Sequence, residues 1–316
     1  MHSTASMRLI RALGVVLPVV VLTACGTAHG IASVTETPHV AANGDTFVLV
    51  FADEFDSGTA PASTNWTIET GYGPKNNGWG NNEWQLYTDS PDNVRVENGN
   101  LVLTAQCPVG PCGVRDGTVT SGKINSLGKF NFTFGKIIAR IKPPVGDAAW
   151  PAFWSLGANY PVVGWPWSGE LDVLEMHNFH SDERTTHTTM HWCEETLQAP
   201  EPCSFPDGWV FDTQHKTFPA SLGDDFHIWE VDWNAERIIG RIDGETYYTR
   251  AINPSTMDEF LKEFFLIFNV AMGGTLGSGD RPPDGGEAFP QTMLVDYVRV
   301  FQLKNMRPGL TAVRLP

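Results

Sequence analysis

The sequence predicts an all-β protein made of two packed antiparallel sheets, and three observations lead to this prediction. From Thr46 onward, apolar residues recur with a period of two or in short runs. Turn-forming residues punctuate these runs, and the 316 residues include 31 Gly and 22 Pro. No internal repeat or second zone of composition divides the chain. We therefore expect one domain over 45–303, preceded by a tether (25–44) and followed by a C-terminal tail (304–316).

The strand pattern is clearest where polar and apolar residues alternate. Lys136–Lys142 and Leu294–Gln302 alternate as expected of strands with one face in the core and one in water. Further strands are predicted at Phe47–Phe51, Asn100–Ala105, His227–Trp233, Ile238–Asp243 and Phe264–Ala271. One short helix is predicted over Pro254–Glu263, where Ser255 and Asp258 occupy positions similar to those of a capping box.

The first 24 residues predict an export signal. Arg8 and Arg11 precede an apolar run that ends at Leu22 and is too short to span a bilayer. The junction with Cys25 resembles the bacterial lipobox, in which the Cys becomes the lipid-bearing first residue. We therefore expect a lipoprotein signal peptide over 1–24, lipidation of Cys25, and a cell-envelope protein that faces outside the cytoplasm. An ordinary signal peptide that is cleaved nearby is the alternative.

The charge of the chain excludes two classes of partner. The 36 acidic and 21 basic side chains give a formal net charge of −15 at pH 7. Such a protein does not suit nucleic-acid phosphates or anionic lipid headgroups. We expect no nucleic-acid partner and no membrane contact beyond the lipid anchor, and we expect the protein to be a monomer.

The four remaining cysteines form two close pairs along the chain. Cys107 and Cys112 flank one proline-containing loop, and Cys193 and Cys203 flank another. In an oxidising compartment, two local disulfides are the simplest interpretation. The alternative is a metal site built from the second pair with two nearby histidines, but no CxxC or HExxH spacing favours it.

The segment SGELDVLEMHN carries three acids within an apolar stretch. Glu170 and Asp172 share one face of a strand, but Glu175 lies five residues after Glu170 and would point to the other face. A β-bulge at Val173-Leu174 would add one residue and return Glu175 to the face of the other two acids. The simpler interpretation, a strand whose acids are merely solvated, does not account for this spacing.

With the bulge, the spacing suits acid chemistry on a sugar. The Glu170 and Glu175 Cα atoms would lie about 13 Å apart, at about 3.3 Å for each of four steps. Side chains that lean inward would bring the carboxyls near the ~5–5.5 Å separation of a retaining glycosidase. Asp172 would lie between them, where its charge and hydrogen bonds could keep one neighbour protonated and the other ionised.

The motif ELDVLE resembles the ExDxxE signature of glycoside hydrolase family 16, in the bulged version found in bacterial laminarinases. Other blocks of that family recur here in the same order and cover nearly all of the span from 47 to 303. They are DEFD at 53–56, GWGNNEWQLYT at 78–88, GNLVLTA at 99–105, TSGKI at 120–124, WPAFWSLG at 150–157, FNVAMGG at 268–274 and VDYVRVFQ at 295–302.

The resemblance implies a fold and a division of roles. The fold is a concanavalin A-like β-sandwich jelly roll with a concave substrate cleft. Glu170 would be the nucleophile that forms a covalent glycosyl-enzyme, and Glu175 the general acid and then the general base. Asp172 would tune the pair, and no cofactor is needed for catalysis.

Three tryptophans are candidate sugar platforms. Trp150, Trp154 and Trp165 would line the cleft, because an indole offers a flat apolar surface to the C–H face of a pyranose. Trp165 matches the position of a subsite tryptophan in the laminarinase pattern. Core packing is the alternative for each of them, and it is the expected role of Trp229 and Trp233.

Four polar residues are further candidates for substrate binding. Asn81 and Glu83 resemble cleft residues of the family, although the surrounding glycines and amides alone predict only a turn. His191 lies on the stretch after the three acids and resembles the family's histidine near the leaving-group side, with a purely structural role as the alternative. Lys123 stands where many relatives carry Arg, and it keeps the charge but loses the planar guanidinium fork.

Family members often bind a structural Ca²⁺ on the face away from the cleft. The matching positions are the backbone oxygens of Glu54 and Gly99 and the carboxylate of Asp296, and hard oxygen ligands suit calcium. Asp296 is equally well explained as a polar residue in an alternating strand.

The resemblance favours an endo-β-1,3-glucanase that acts on laminarin-like β-glucan. The alternatives on the same scaffold are an agarase, a carrageenase or a mixed-linkage β-glucanase. The acidic balance disfavours a sulfated substrate, and mixed-linkage enzymes typically lack the extra residue before the second Glu. A non-catalytic glucan-binding module is a third alternative, but such relatives lose the acids.

Overall fold

Strands account for most of the regular structure in the computed structural model of this protein. The residues it describes are 39–40, 46–73, 75–110, 112, 117–177, 182–194, 203–204, 208–277, 283, 289–304 and 313–314. All of them lie in the unit Pro38–Pro316. The predicted signal peptide and Cys25 lie outside the described residues, so lipidation stays a prediction. Within the described part, no helix is long and apolar enough to cross a membrane.

The strands follow one another with few helical interruptions. In chain order they are β1 (His39–Val40), β2 (Thr46–Asp53), β3 (Thr67–Ile68), β4 (Leu86–Tyr87), β5 (Val94–Glu97), β6 (Asn100–Ala105), β7 (Thr120–Ser121), β8 (Lys123–Asn125), β9 (Phe130–Phe132), β10 (Gly135–Lys142), β11 (Ala149–Gly157), β12 (Glu170–Glu175), β13 (Thr185–Cys193), β14 (Trp209–Thr217), β15 (His227–Trp233), β16 (Arg237–Ile242), β17 (Glu245–Ala251), β18 (Phe264–Met272), β19 (Gln291–Leu303) and β20 (Val313–Arg314). Two short α-helices are α1 (Tyr160–Val163) and α2 (Gly274–Gly277), and two 3₁₀ turns lie at Gly78–Gly80 and Asp258–Leu261.

Within the described residues, the long strands form two antiparallel sheets. The first has the order β1-β2-β19-β10-β15-β16-β17, with β6 paired to β19 and β5 to β6. The second has the order β14-β13-β12-β11-β18-β8-β3, with β9 paired to β18 and β20 to β9. The strands predicted from periodicity all lie in these sheets. The short strands β1 and β20 lie in the segments predicted as tether and tail.

The inner faces of the two sheets share one hydrophobic core, as the predicted sandwich requires. In β10, every second side chain is buried, including Ile137 and Ile141, while Lys136 and Arg140 face outward. Across the core, Phe51 of β2 stacks on Phe130 of β9, with ring centroids 4.2 Å apart. The predicted class of two packed antiparallel sheets is confirmed.

The second sheet differs from the first because its central strands are covered on both faces. All nine residues of β18 and eight of the nine in β11 are buried. Such strands show continuous apolar runs rather than alternation. The outer face of this sheet is therefore lined by other protein groups, and the acids of β12 belong to that face.

The two predicted disulfides are present. Cys107 pairs with Cys112 at a Cα–Cα distance of 5.8 Å, and Cys193 pairs with Cys203 at 6.1 Å. Both distances lie in the usual range for a disulfide. The alternative metal site that used the second pair is therefore excluded.

The predicted helix over Pro254–Glu263 is shorter than expected. Only Asp258–Leu261 is helical, as a single 3₁₀ turn, and Met257 before it has non-helical φ and ψ of −144° and 39°. Met257 is buried in the core. Burial of this side chain overrides the local helical signal, which is weak in so short a segment.

The 3₁₀ turn carries a buried carboxyl that contacts the end of β13 and the residue before β12. Glu259 is 2% exposed, and its Oε1 accepts a hydrogen bond from the backbone N–H of Cys193 at 3.3 Å. Gly169, directly before β12, has φ +73°, and a Cβ there would lie 2.7 Å from the Cβ of Glu259. Burial raises the pKa of Glu259 from 4.5 to about 7.

The raised pKa predicts a pH-dependent stability for Glu259→Gln. A carboxyl whose pKa rises on folding stabilises the fold below its unfolded pKa, and this stabilisation is lost as the pH rises through about 7. A neutral amide does not titrate. The free energy of unfolding of the variant, relative to wild type, should therefore increase between pH 4.5 and 7 by up to about 3 kcal/mol.

Urea unfolding at pH 4.5, 6 and 8 measures this difference. Glu236→Gln, at an exposed position of the same domain, is the matched control and should show no such trend. A constant difference between Glu259→Gln and wild type across the series would contradict the account.

Candidate active site

A β-bulge in β12 places the three acids on one face of the second sheet. Against β11, Asp172 pairs with Trp154 and Leu174 with Phe153, which leaves Val173 without a partner position. Against β13, the register also shifts between Asp172 and Glu175. The extra residue is thus at Val173, as the parity of the acids predicts.

With the bulge, one face of β12 is apolar and the other carries the acids. Leu171, Val173 and Leu174 are all buried in the core between the sheets. Glu170, Asp172 and Glu175 share the opposite face, where Asp172 and Glu175 are buried and Glu170 is half-buried.

Glu175 has a hydrogen-bond donor at one oxygen and an imidazole in ion-pair contact with the other. The indole Nε1 of Trp150 donates to its Oε1 at 2.9 Å, and the Nε2 of His177 lies 3.1 Å from its Oε2. Burial by itself would raise the pKa of Glu175. The charge of His177 and the hydrogen bonds from His177 and Trp150 outweigh burial and lower this pKa to about 2.

Glu170 and Asp172 experience the opposite balance. Burial, followed by the charge of Asp172, raises the pKa of Glu170 to about 8, although His191 and a hydrogen bond from Trp165 oppose the increase. Burial and the charge of Glu175 raise the pKa of Asp172 as well. Glu170 and Asp172 interact through a hydrogen bond, so these two acids hold a proton between them at neutral pH.

The orientation of His191 follows from its neighbour Trp209. The Nε1 of Trp209 lies 3.2 Å from Nδ1 of His191. Because an indole nitrogen can only donate, Nδ1 must accept and the proton of a neutral His191 lies on Nε2. That N–H faces Asp172 Oδ2 at 3.5 Å and Glu170 Oε1 at 3.9 Å.

An aromatic cluster lies at the Glu170 end of the acids. Trp165 is 41% exposed, and its ring meets that of Trp209 at 4.8 Å between centroids. Trp209 in turn lies 5.8 Å from Phe211, which is 46% exposed. Trp165 was predicted as a sugar platform, whereas Trp209 and Phe211 were missed. Only the register of β13 with β14 shows that Phe211 lies beside His191.

The other two predicted platforms are less accessible. Trp150 is buried, and its indole N–H is used by Glu175. Trp154 is half-buried, and its Nε1 donates to Oδ1 of Asn269 at 2.7 Å. Both belong to the face of the acids, so each can shape the cleft floor, and Trp150 also orients an acid.

Glu83 lies under a tight loop at the other end of the site. It is buried and accepts hydrogen bonds from Asn81 at 3.1 Å and Gln85 at 2.6 Å, and burial raises its pKa. Gly78 has φ +64°, and a Cβ there would lie 2.5 Å from the backbone N of Glu83. The loop is also attached to α2, because Thr275 N–H donates to Asn81 O at 2.9 Å.

Lys123 is enclosed by aromatic rings and one acid. Its Nζ lies 3.9 Å from the ring centroid of Trp79 and 5.3 Å from that of Trp154. It also pairs with Oε2 of Glu69 at 3.3 Å. This charge is therefore compensated within the protein by cation–π contacts and an ion pair.

The side-chain ligand expected for calcium is already paired. Asp296 Oδ2 accepts a hydrogen bond from Arg140 at 2.7 Å. The other two expected ligands are the backbone oxygens of Glu54 and Gly99, which the ion pair of the Glu54 carboxylate with Arg299 does not engage. A divalent cation bound by Asp296 would have to compete with a guanidinium group. Because its one charged ligand is paired in this way, the expected donor set fits calcium poorly, and calcium binding stays a prediction.

Among the described residues, one cluster could approach a metal ion. Donor atoms of Glu170, Asp172 and His191 lie within 4.8 Å of one another. These atoms belong to the face of the three acids, where hydrogen bonds and a shared proton account for their proximity.

Comparison with known proteins identifies the family. Residues 81–297 match the family model of "Glycosyl hydrolases family 16". The chain belongs to this family. The predicted membership is therefore confirmed.

Several of the similar proteins are named as enzymes that act on β-1,3-glucan. The chain is 33% identical over 273 residues to "Glucan endo-1,3-beta-glucosidase A1" of Niallia circulans, a match that covers 80% of this chain and 38% of that relative. It is 32% identical over 265 residues to "Glucan endo-1,3-beta-glucosidase" of Cryptopygus antarcticus, covering 80% of this chain and 91% of the relative. The chain thus spans less than half of the first relative.

A solved structure confirms the jelly-roll fold. The X-ray structure of an endo-beta-1,3-glucanase from Pyrococcus furiosus matches with a TM-score of 0.68 at 33% identity, over 83% of this chain and 96% of that chain.

Deletion variants test the bulge directly. Removal of Val173 leaves Glu-Leu-Asp-Leu-Glu, in which ordinary alternation keeps the three acids on one face. Removal of Leu171, an equally buried aliphatic residue of the same strand, turns Glu170 to the core face. We expect the Val173 deletion to retain at least about 100-fold more hydrolytic activity than the Leu171 deletion, since loss of a positioned nucleophile costs several orders of magnitude.

Initial rates on laminarin, with circular dichroism to verify folding, provide the measurement. Equal activities in two folded deletion variants would contradict the assignment of the acids to one face.

Proposed function

We propose that this protein is a retaining endo-β-1,3-glucanase that cleaves laminarin-like glucans by double displacement. The observation that carries the proposal is the bulge that aligns Glu170, Asp172 and Glu175 on one face. Similarity to two proteins named as glucan endo-1,3-β-glucosidases and to a solved endo-β-1,3-glucanase supports the linkage and the endo action.

In the first step, a Glu170 carboxylate oxygen bonds to the anomeric carbon as the glycosidic C–O bond breaks. Asp172 supports this role because it can hold the proton that the two acids share and leave Glu170 ionised. Glu175 protonates the departing sugar oxygen. The Nε2–H of His191 faces Glu170 and Asp172, so it can stabilise negative charge on either acid.

In the second step, Glu175 accepts a proton from water as the water oxygen bonds to the anomeric carbon. The bond between sugar and Glu170 breaks, and the carboxylate is restored. Two displacements at one carbon retain the anomeric configuration. No metal or organic cofactor takes part in this proposal.

The surroundings of the acids favour a neutral glucan over a sulfated one. Trp165 and Phe211 offer exposed aromatic surface, which suits the C–H faces of glucosyl units, and the half-buried Trp209 contacts both rings. Lys123 is already paired with Glu69 and covered by Trp79, so its charge is not available to a sulfate group. These contacts disfavour a carrageenase, and the three positioned acids disfavour a non-catalytic binding module.

We infer that the protein is exported and anchored through Cys25, as its N-terminal sequence predicts. The disulfides at Cys107–Cys112 and Cys193–Cys203 support export, because disulfides persist mainly in oxidising compartments.

Two isosteric variants separate the roles of the acids. Glu170→Gln should lose hydrolysis of both laminarin and an activated aryl β-laminaribioside, by at least about 10³-fold, because neither reaction proceeds without the nucleophile. Glu175→Gln should lose laminarin hydrolysis by about 10²–10⁴-fold. It should form the glycosyl-enzyme from the activated substrate almost normally, since that leaving group needs no proton.

Stopped assays with both substrates, and calorimetric binding of laminari-oligosaccharides, make the comparison. Glu230→Gln, on the first sheet, is the control for loss of a charge and should remain active. A nearly active Glu170→Gln variant would rule out the proposed nucleophile.

Phe211→Ala tests the aromatic cluster as a binding surface. Loss of one ring–sugar contact, worth about 0.5–1.5 kcal/mol, should raise KM for long laminari-oligosaccharides about 2- to 13-fold with little change in kcat. Val162→Ala, at another exposed apolar position, should leave KM unchanged. Kinetics on oligosaccharides of increasing length measure the effect, and an unchanged KM for Phe211→Ala at every length would remove this surface from the cleft.

A further inference from the structure

A histidine that the proposed mechanism has not used touches Glu175. His177 follows β12 by two residues, and its Nε2 lies 3.1 Å from Oε2 of Glu175. Its ring also stacks on His187 of β13, with centroids 4.5 Å apart and planes 19° apart. The imidazole is thus fixed between an acid of the site and a second imidazole.

The groups around His177 leave it as the proton donor for Glu175. Trp150 of β11 holds the other oxygen of Glu175, but an indole N–H does not titrate in this range. His187 stacks on the far side of His177 and has His215 of β14 beyond it, with centroids 5.9 Å apart. Of the two side chains that hold the Glu175 oxygens, only His177 can therefore supply a proton.

Only one of the two stacked imidazoles can carry a positive charge easily. Two imidazolium rings at 4.5 Å would repel each other. His177 has the carboxylate of Glu175 as its partner, and its pKa is raised by that charge. Burial and the charge of His177 lower the pKa of His187 to about 4, although Glu175 and Asp182 oppose this. The proton therefore belongs to His177.

We propose that His177 holds the catalytic proton for Glu175, so that the two side chains share one proton which moves to the carboxyl when a sugar covers the site. This inference rests on the proposed function. His177 acts through Glu175 and does not touch the reacting atoms, so it is a positioning residue. The proposal explains how a carboxylate whose own pKa is low in the free site can act as an acid.

The proton balance closes over one reaction cycle. In the first step, the proton passes from His177 Nε2 to the Glu175 carboxyl, and Glu175 passes a proton to the departing sugar oxygen. Glu170 meanwhile bonds to the anomeric carbon. In the second step, Glu175 takes a proton from water, the water oxygen replaces Glu170, and the proton returns to His177. The net change is one glycosidic bond and one water converted into two sugar hydroxyls.

The upper pH limit of activity should therefore be set by an imidazole. The pair loses its last proton from His177, whose ordinary pKa is 6.5 and is raised here by Glu175. Without His177 the last proton leaves a carboxyl, whose ordinary pKa is 4.5. In that variant burial still raises the pKa of Glu175, but the indole N–H of Trp150 continues to stabilise its carboxylate form. Loss of the imidazole should therefore move the basic limb of the pH profile to lower pH.

The test compares His177→Gln with His215→Gln. His215 is an exposed histidine whose ring lies 5.9 Å from that of His187, beyond it from His177. The kcat/KM for laminarin and for 2,4-dinitrophenyl β-laminaribioside, which needs no protonation, is measured between pH 4 and 9. For His177→Gln we expect the basic limb on laminarin to move down by at least one pH unit. We expect activity at pH 8 to fall at least tenfold on laminarin and less than threefold on the aryl glycoside.

Each other outcome has a defined meaning. An unchanged basic limb in folded His177→Gln overturns the proposal, and so does an equal loss on both substrates. His215→Gln should match wild type. Failure of wild type to cleave laminarin, or an active Glu170→Gln, would instead overturn the proposed function itself.

A measurement on the unmutated site keeps the proposal falsifiable if His177→Gln does not fold. In ¹⁵N NMR spectra of the full chain, the His177 ring should be doubly protonated at pH 7 and should become neutral at that pH in Glu175→Gln. A neutral His177 at pH 7 in wild type would overturn the proposal.

Discussion

The active face depends on a single constraint, the parity of side chains along β12. Two glutamates five residues apart cannot share a face of a regular strand, and Val173 supplies the residue that corrects this. The same bulge lets Val173 and Leu174 both enter the core, so the correction does not sacrifice apolar burial. The positions of Trp154, His187 and His191 then follow from pairing with β11 and β13.

Three carboxylates on one buried face would repel one another if all were ionised. Shared protons reduce this repulsion. Glu170 and Asp172 are close enough that one proton stabilises both. Glu175 is compensated differently, by the indole of Trp150 and the imidazole of His177. Glu170 thus shares a proton with Asp172, and Glu175 has His177 as its partner. Glu170 can therefore be ionised while Glu175 receives a proton.

The sequence predicted the features that depend on local pattern. Alternation located the strands, close spacing located the disulfides, and parity located the bulge. It could not locate Phe211 or the contact of His177 with His187, because those depend on the register between strands that no local pattern encodes. The helix predicted over Pro254–Glu263 is only one turn in the structure, because Met257 is buried. Likewise, the pairing of Asp296 with Arg140 is invisible in the sequence.

In the proposed mechanism, Glu170 and Glu175 act on one sugar carbon from a shared face, in two displacements. The most direct measurement is ¹H NMR of the anomeric protons during the first minutes of laminarin hydrolysis, before mutarotation. The account predicts that the β-anomer of the new reducing end appears first and that the α-anomer grows in later. Initial appearance of the α-anomer would contradict it.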